Sequence, residues 1–301
     1  MTMMKIINKR KYFYVFSGTL FVASLVLLAV WGLRFGIDFT GGTEMDVAFS
    51  KTAPTVAQMS GALKDLKLDG LTIQPASNNQ AMLQYMSSSD ETNAQVFAAV
   101  QKLDPNVKQL SVDFIGSSVS AQLKSSAVWA IILSVIGIAL YIAWAFRKVS
   151  RPVASWKYGT GAVIALAHDI TITTGVFVVL GHFYGIEVGV PFIAALLTIL
   201  GYSVNDTIVV FDRTRENLLR SSGKEDFEDV VDRSLNQTLA RSINTSMTVI
   251  LVLFALTLFG GASIHDFSLA LLIGVTFGTY SSIYVASALL VTIYKFQVKK
   301  A

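Results

Sequence analysis

The chain contains no cysteine, so neither a disulfide framework nor a thiolate metal site can be built from it. Histidine is almost as scarce. His168, His182 and His265 are scattered and lack the paired spacing of a metal site, so no metal and no cofactor is expected. Charge is thin as well, at 15% Asp, Glu, Lys and Arg in 301 residues, against 53% hydrophobic residues and a mean hydropathy of +0.56. That balance is too apolar for an ordinary soluble protein of this length and indicates a polytopic membrane protein.

Six apolar runs are long enough to cross a bilayer, at about residues 12–33, 126–146, 158–181, 190–211, 243–260 and 267–294. The first follows the basic leader KIINKRKY, but its apolar part is too long for a signal peptide and LLAVWG offers no small-x-small cleavage site, so it is expected to stay as an anchor. Basic residues sit on one side of this topology. Lys5, Lys9, Arg10 and Lys11 precede span one, Arg147, Lys148, Arg151 and Lys157 join spans two and three, six more lie from Arg213 to Arg241, and Lys295, Lys299 and Lys300 follow span six. The loops 182–189 and 261–266 contain no Lys or Arg. The positive-inside rule therefore puts both termini in the cytoplasm, and the net charge of +4 reflects orientation in the bilayer rather than a nucleic-acid partner.

Residues 35–122 are polar, mixed in charge and long enough to fold, which predicts a soluble domain outside the inner leaflet between spans one and two. TEMDVAF alternates like a strand, and TVAQMSGALKDLKL starts with a Thr55–Gln58 capping box at helical spacing. LTIQPA and AMLQYM read as strands around the turn SNNQ, Ser88 to Glu91 caps the helix ETNAQVFAAVQKL, and VKQLSVDFI ends the series. The order is β-α-β-β-α-β, the split βαβ or ferredoxin-like unit. The organisation is thus 1–34, N-terminus and first span; 35–122, outside domain; and 123–301, a five-helix bundle with an inner loop at 213–241. After Gly223, the residues Phe227, Val230, Val231, Leu235, Leu239 and Ile243 share one helical face, which predicts a helix lying along the membrane before turning into span five. It either packs on the bundle or touches anionic lipid.

Soluble-enzyme motifs fail. SSGKED has Leu218 where a phosphate-cradling loop needs its first glycine, and GYSVN has Asn205 where a nucleophile elbow ends in glycine. What remains is a set of ionisable residues at membrane depth, where a charge costs about 2.5–3.5 kcal/mol and usually faces a bundle interior or a water path. Asp206 lies in GYSVNDTIVV, about 7 Å to the cytoplasmic side of mid-span by helical rise, with Asn205 and Thr207 adding hydrogen-bonding capacity. Arg241 opens span five at similar depth, followed by Ser242, Asn244, Thr245 and Ser246, and reads equally as an interfacial arginine. His168 and Asp169 fall mid-way along span three, either as a structural pair or as part of a proton path. Gly274 and Gly278 form a small-xxx-small face on span six, for close helix packing or for sliding.

Three stretches carry a family resemblance: FGIDFTGGTEMDV with Gly36, Asp38, Gly41 and Gly42; GYSVNDTIVVFDRTREN with Gly201, Asp206, Asp212 and Arg213; and ARSINTS at span five. Together they resemble the SecF subunits of the bacterial SecDF protein-export complex, related to the RND transporters. SecD-like chains carry a different first motif and a larger outside domain. The resemblance implies a six-span inner-membrane protein with a periplasmic domain that pairs with SecD, assists the SecYEG channel and uses the proton motive force to draw unfolded exported polypeptide across the bilayer. It also implies Asp206 as the proton-carrying aspartate and Arg241 as its partner. Other function classes were weighed against it. An intramembrane aspartyl protease would pair Asp169 with Asp206 around a shared proton, though Asn205 stands where such enzymes favour glycine. A small-molecule RND exporter would need more room for a drug pocket than residues 35–122 give.

Overall fold

The computed structural model describes residues 4–75, 79–87, 89–147, 155–221 and 225–298. Lys148, Arg151, Lys299 and Lys300, Ser77 and Asn78 of the expected SNNQ turn, Ser88, and Gly223 and Lys224 of SSGKED lie outside them. The helices and strands run α1 (Arg10–Val30), α2 (Ile37–Thr40), β1 (Gly42–Ala48), α3 (Val56–Leu63), β2 (Thr72–Pro75), β3 (Gln80–Tyr85), α4 (Asp90–Gln101), β4 (Lys108–Ile115), α5 (Ser117–Ala145), α6 (Ser155–Tyr184), α7 (Val190–Ser221), α8 (Phe227–Phe259), α9 (Ala262–Ser281) and α10 (Ser287–Val298). A π-helical turn, Ser282–Ala286, joins the last two. The chain divides into two compact units, one comprising Met1–Leu33, Trp129–Ile186 and Pro191–Ala301 and the other Arg34–Val128 with Glu187–Val190.

Among the described residues, six helical runs are long and apolar enough to cross a membrane, matching the six expected from hydropathy. Half of the most apolar stretch of α6 and of α7, and 56% of that of the α9–α10 run, is buried, against 11% for α1, 6% for α5 and 17% for α8. The former three are the core of the bundle and the latter present apolar side chains outward, which only a lipid or protein environment tolerates on this scale. The core is stitched by Phe146 stacked on Tyr158, with Phe211 edge-on to both. The expected surface helix ahead of span five is corrected by α8: no turn separates the two, and one helix of 33 residues carries both. Phe227, Val230, Val231 and Leu235 on its apolar face are buried against the bundle, while Ile243 is exposed.

The second unit is a four-stranded sheet in the order β2-β3-β1-β4 with every pairing antiparallel. Alternation in β1 buries Thr43, Met45 and Val47 on one side, where Met59 and Leu63 of α3 and Val96 and Val100 of α4 close the core. The Thr55–Gln58 capping box forms as the sequence predicts. For α4 the cap shifts by one residue: Ser89 is the N-cap, without a side-chain hydrogen bond, and the helix begins at Asp90. Gly42 explains part of the first motif. Its φ is +121°, and a Cβ there would stand 2.6 Å from the Tyr85 carbonyl oxygen, so no other residue turns the chain from α2 into β1 at that point.

On the sheet's other side Gln84 donates to Glu44 at 2.8 Å, and Glu187 comes in from the loop before α7, 3.4 Å from Arg34, with one buried carboxylate oxygen lacking a hydrogen-bond partner among the described residues. Burial pushes both carboxyls up from the ordinary glutamate value of 4.5, outweighing the Gln84 amide at Glu44 and the Arg34 charge at Glu187; Asp46, Asp113 and Asp38 push Glu44 the same way, and Glu44 does so at Glu187. Acids with raised values hold protons more tightly folded than unfolded, so this unit is expected to gain stability as pH falls from neutrality toward 4.5 and to lose it as pH rises. Amide exchange across that pH range measures this; Glu187→Gln should flatten the profile, and an unchanged slope would contradict the assignment.

Candidate functional site

The polar groups at membrane depth are gathered where α6, α7, α8 and the α9–α10 run meet. In α7 the buried positions Ile199, Leu200, Ser203, Val204, Asp206, Thr207, Val210 and Phe211 recur at helical spacing and aim one stripe inward. Asn205 falls off that stripe and is exposed. Of the two sequence neighbours expected to support Asp206, Asn205 therefore points away from the bundle while Thr207 shares the buried stripe. The groups that line up with Asp206 are Ser203 and Thr207.

Asp169 is fully buried and is the most heavily bonded carboxylate of the bundle. Its Oδ1 lies 2.9 Å from His168 Nδ1, while its Oδ2 accepts from Ser203 of α7 at 2.6 Å and from Ser281 of α9 at 2.7 Å. Three spans thus converge on one side chain. A second rung lies alongside: Thr207 and Ser282 hydroxyls are 2.8 Å apart, and Ser282 donates to the Ser203 carbonyl at 3.1 Å. The π turn begins at Ser282, whose carbonyl accepts from the Ser287 hydroxyl five residues on at 3.1 Å. A third rung runs from Tyr202 to Ser246 at 3.3 Å and from Thr279 to Ser246 at 2.7 Å.

Asp206 is buried and only half satisfied. Its Oδ1 accepts from Ser242 of α8 at 2.6 Å, and its Oδ2 has no hydrogen-bond partner among the described residues. Arg241 does not make the expected ion pair here: it is exposed and lines a cavity of about 370 Å³ with Ile208, Asp212, Arg213, Arg215 and Glu216. Asp212 pairs with Arg215 at 3.3 Å, and Arg213 pairs with Glu216 and donates to Gln237 at 2.7 Å, so these motif residues organise the end of α7. Gly201 is exposed with open space around it. Of the polar cluster after Arg241, Ser242 and Ser246 turn inward while Asn244 and Thr245 are exposed.

Gly274 and Gly278 serve close packing against α7. A Cβ at Gly274 would overlap Ile199 Cδ1 at 2.1 Å, and one at Gly278 would press on Ser203 at 3.0 Å. Sequence reading missed Ser203, Ser281 and Ser282 as partners. Their signal was faint but present, since Ser203 precedes Thr207 by one helical turn and Ser281 and Ser282 follow Gly278 on the same run.

Comparison with known proteins completes the picture. The family model described as protein export membrane protein SecD/SecF, C-terminal, matches residues 95–296, and the SecD/SecF GG motif matches residues 26–53. The chain belongs to the SecD/SecF family. It is 41% identical over 302 residues to the protein translocase subunit SecF of Thermobaculum terrenum, covering 96% of this chain and 94% of that one. To the Haemophilus influenzae protein of the same name it is 40% identical over 283 residues, covering 93% and 83%. A crystal structure of SecDF, a translocon-associated membrane protein from Thermus, superposes with a TM-score of 0.84 at 32% identity over 96% of this chain. A SecDF structure in a super-membrane-facing form gives 0.69 at 31%. The chain spans 38% of the length of the first of these SecDF chains. As a family member with six spanning helices, it is a multi-pass membrane protein of protein transport.

Replacing Asp169 by alanine would strip the acceptor from the buried Ser203 hydroxyl and leave Ser281 only the Gly278 carbonyl. Thermal unfolding in detergent should register a loss of about 3 kcal/mol, with Asp169→Asn losing less because it keeps an acceptor oxygen. An unaltered midpoint in Asp169→Ala would show that the three spans do not depend on this contact.

Proposed function

We propose that this SecD/SecF-family chain is the SecF component of a Sec export assembly: it pairs with SecD, works beside the SecYEG channel, and couples inward proton flow to the movement of unfolded polypeptide across the inner membrane. The observation that carries the reading is Asp206, a buried carboxylate at membrane depth with one oxygen held by Ser242 and the other open. An oxygen in that position takes a proton or a water, because leaving it bare in an apolar bundle is costly. Arg241, one residue before Ser242 and lining the adjoining cavity, is the cation that a deprotonated Asp206 would turn toward. A side chain that is protonated in one arrangement and ion-paired in another converts proton movement into helix movement.

The family and the names of its relatives support the export role. The proposed topology keeps both termini cytoplasmic, on the Lys/Arg distribution, and makes residues 35–122 the periplasmic domain. Its strand order, with β1 and β3 central and all pairings antiparallel, supports the ferredoxin-like assignment. His168 and Asp169 are better read as a structural hub than as relay members, since both oxygens of Asp169 are engaged, although His168 Nε2 is buried without a hydrogen-bond partner among the described residues. The same commitment speaks against a protease, because Asp169 and Asp206 bond to different partners and not to each other.

In inverted vesicles that secrete under an imposed proton gradient, Asp206→Asn is expected to reduce gradient-dependent stimulation to the level seen without the chain, with the complex still assembled. Full stimulation in an assembled Asp206→Asn complex would remove the proton role.

A further inference from the structure

The first motif and the head of α7 are tied together by a dense set of contacts within one compact unit. Phe35 bridges Val188 in parallel, Gly36 N–H donates to the Val188 carbonyl at 3.1 Å, and Val188 N–H donates to the Arg34 carbonyl at 2.8 Å. Two residues further along each segment, at the starts of α2 and α7, Asp38 Oδ2 accepts from Val190 N–H at 2.6 Å. The next residue of α7 is Pro191, which has no N–H, so Val190 presents the outermost amide of a 32-residue helix. A carboxylate placed on it satisfies an orphan donor and meets the positive end of the aligned peptide dipoles.

The loop before α7 is therefore not slack. Residues 187–190 are built into the unit of Arg34–Val128, and α7 runs unbroken from Val190 to Ser221. Asp206 lies on the same helix, about 24 Å from Val190 at 1.5 Å per residue. On the other side of the contact, α2 carries Asp38 and leads through Gly41 and Gly42 directly into β1, the central strand that pairs with both β3 and β4.

We propose that Asp38 is a positioning residue: it clamps the first turn of α7 to the outside unit, making α7 a rigid rod that carries displacement at Asp206 to the central strand of that unit. The clamp stands on the contacts above, and its role in transport rests on the proposed function. A shift of α7 along its axis moves Val190, and through the Asp38 carboxylate and the Phe35–Val188 bridge it moves the motif, with no flexible loop between to absorb it. The motif thus acts as a joint.

The test uses the full chain in its membrane complex. Amide exchange at residues 187–190 should accelerate about fivefold in Asp38→Ala and less in Asp38→Asn, which keeps an acceptor oxygen. Because the chain has no cysteine, Phe35→Cys with Val188→Cys adds one pair and nothing else. In the Asp38→Ala background, closing this disulfide should restore both protection and gradient-driven secretion, and reduction should remove both. Unchanged exchange in Asp38→Ala, or a secretion defect that persists with the disulfide closed, would overturn the clamp. Slowed secretion from Asp206→Asn is a separate arm: if that variant secretes normally while the exchange and its rescue hold, the proton role falls and the clamp stands.

Discussion

A carboxylate inside an apolar helix bundle must find donors, and the way Asp169 finds them organises the rest of this molecule. Ser203 and Ser281 supply hydroxyls from α7 and α9, and His168 supplies a ring nitrogen from the same helix. Small hydroxyl side chains suit the task because they hydrogen-bond without holding helices apart, and Gly278 beside Ser203 brings the backbones closer still. The rungs at Ser282–Thr207 and Ser246–Thr279 repeat the device at other levels. Against that frame Asp206 stands out, since one of its oxygens has no hydrogen-bond partner among the described residues.

Two ends of α7 therefore have different characters. Its head is fixed by Asp38 and the Phe35–Val188 bridge, its middle is locked to α6 and α9 through Ser203, and its far end carries Asp206 and then a charged cluster around Asp212 and Arg213. The π turn in the sixth run sits directly against the Ser203–Thr207 stretch. Such turns fit more residues into a given length than an α-helix does and are frequent at functional sites. In the proposed cycle, that is the element best placed to yield when Asp206 changes partner.

Much of this was readable before any coordinates. Hydropathy located the six spans because bilayer thickness dictates a long apolar run, and period-two alternation located β1 because one face of the sheet is buried. The local Thr55–Gln58 cap was equally legible. What escaped was everything set by distant contacts. The expected bend ahead of span five is absent because Phe227 to Leu235 bury against the bundle and keep α8 continuous, and the recruitment of 187–190 into the outside unit depends on partners some 150 residues away in sequence, such as Asp38 for Val190. Of the two sequence neighbours expected to support Asp206, Thr207 shares its buried stripe and Asn205 does not, while Ser203, three residues before it, joins them.

The central claim is that the Asp206 carboxyl changes its protonation while the protein works. Infrared difference spectroscopy on the assembled complex in vesicles reads this directly, because a protonated carboxyl and a carboxylate absorb in separate regions. The account predicts that imposing a proton gradient produces a paired change in the two bands, and that Asp206→Asn removes it while leaving the rest of the spectrum intact. A complex that secretes under the gradient with no such Asp206-dependent change would contradict it.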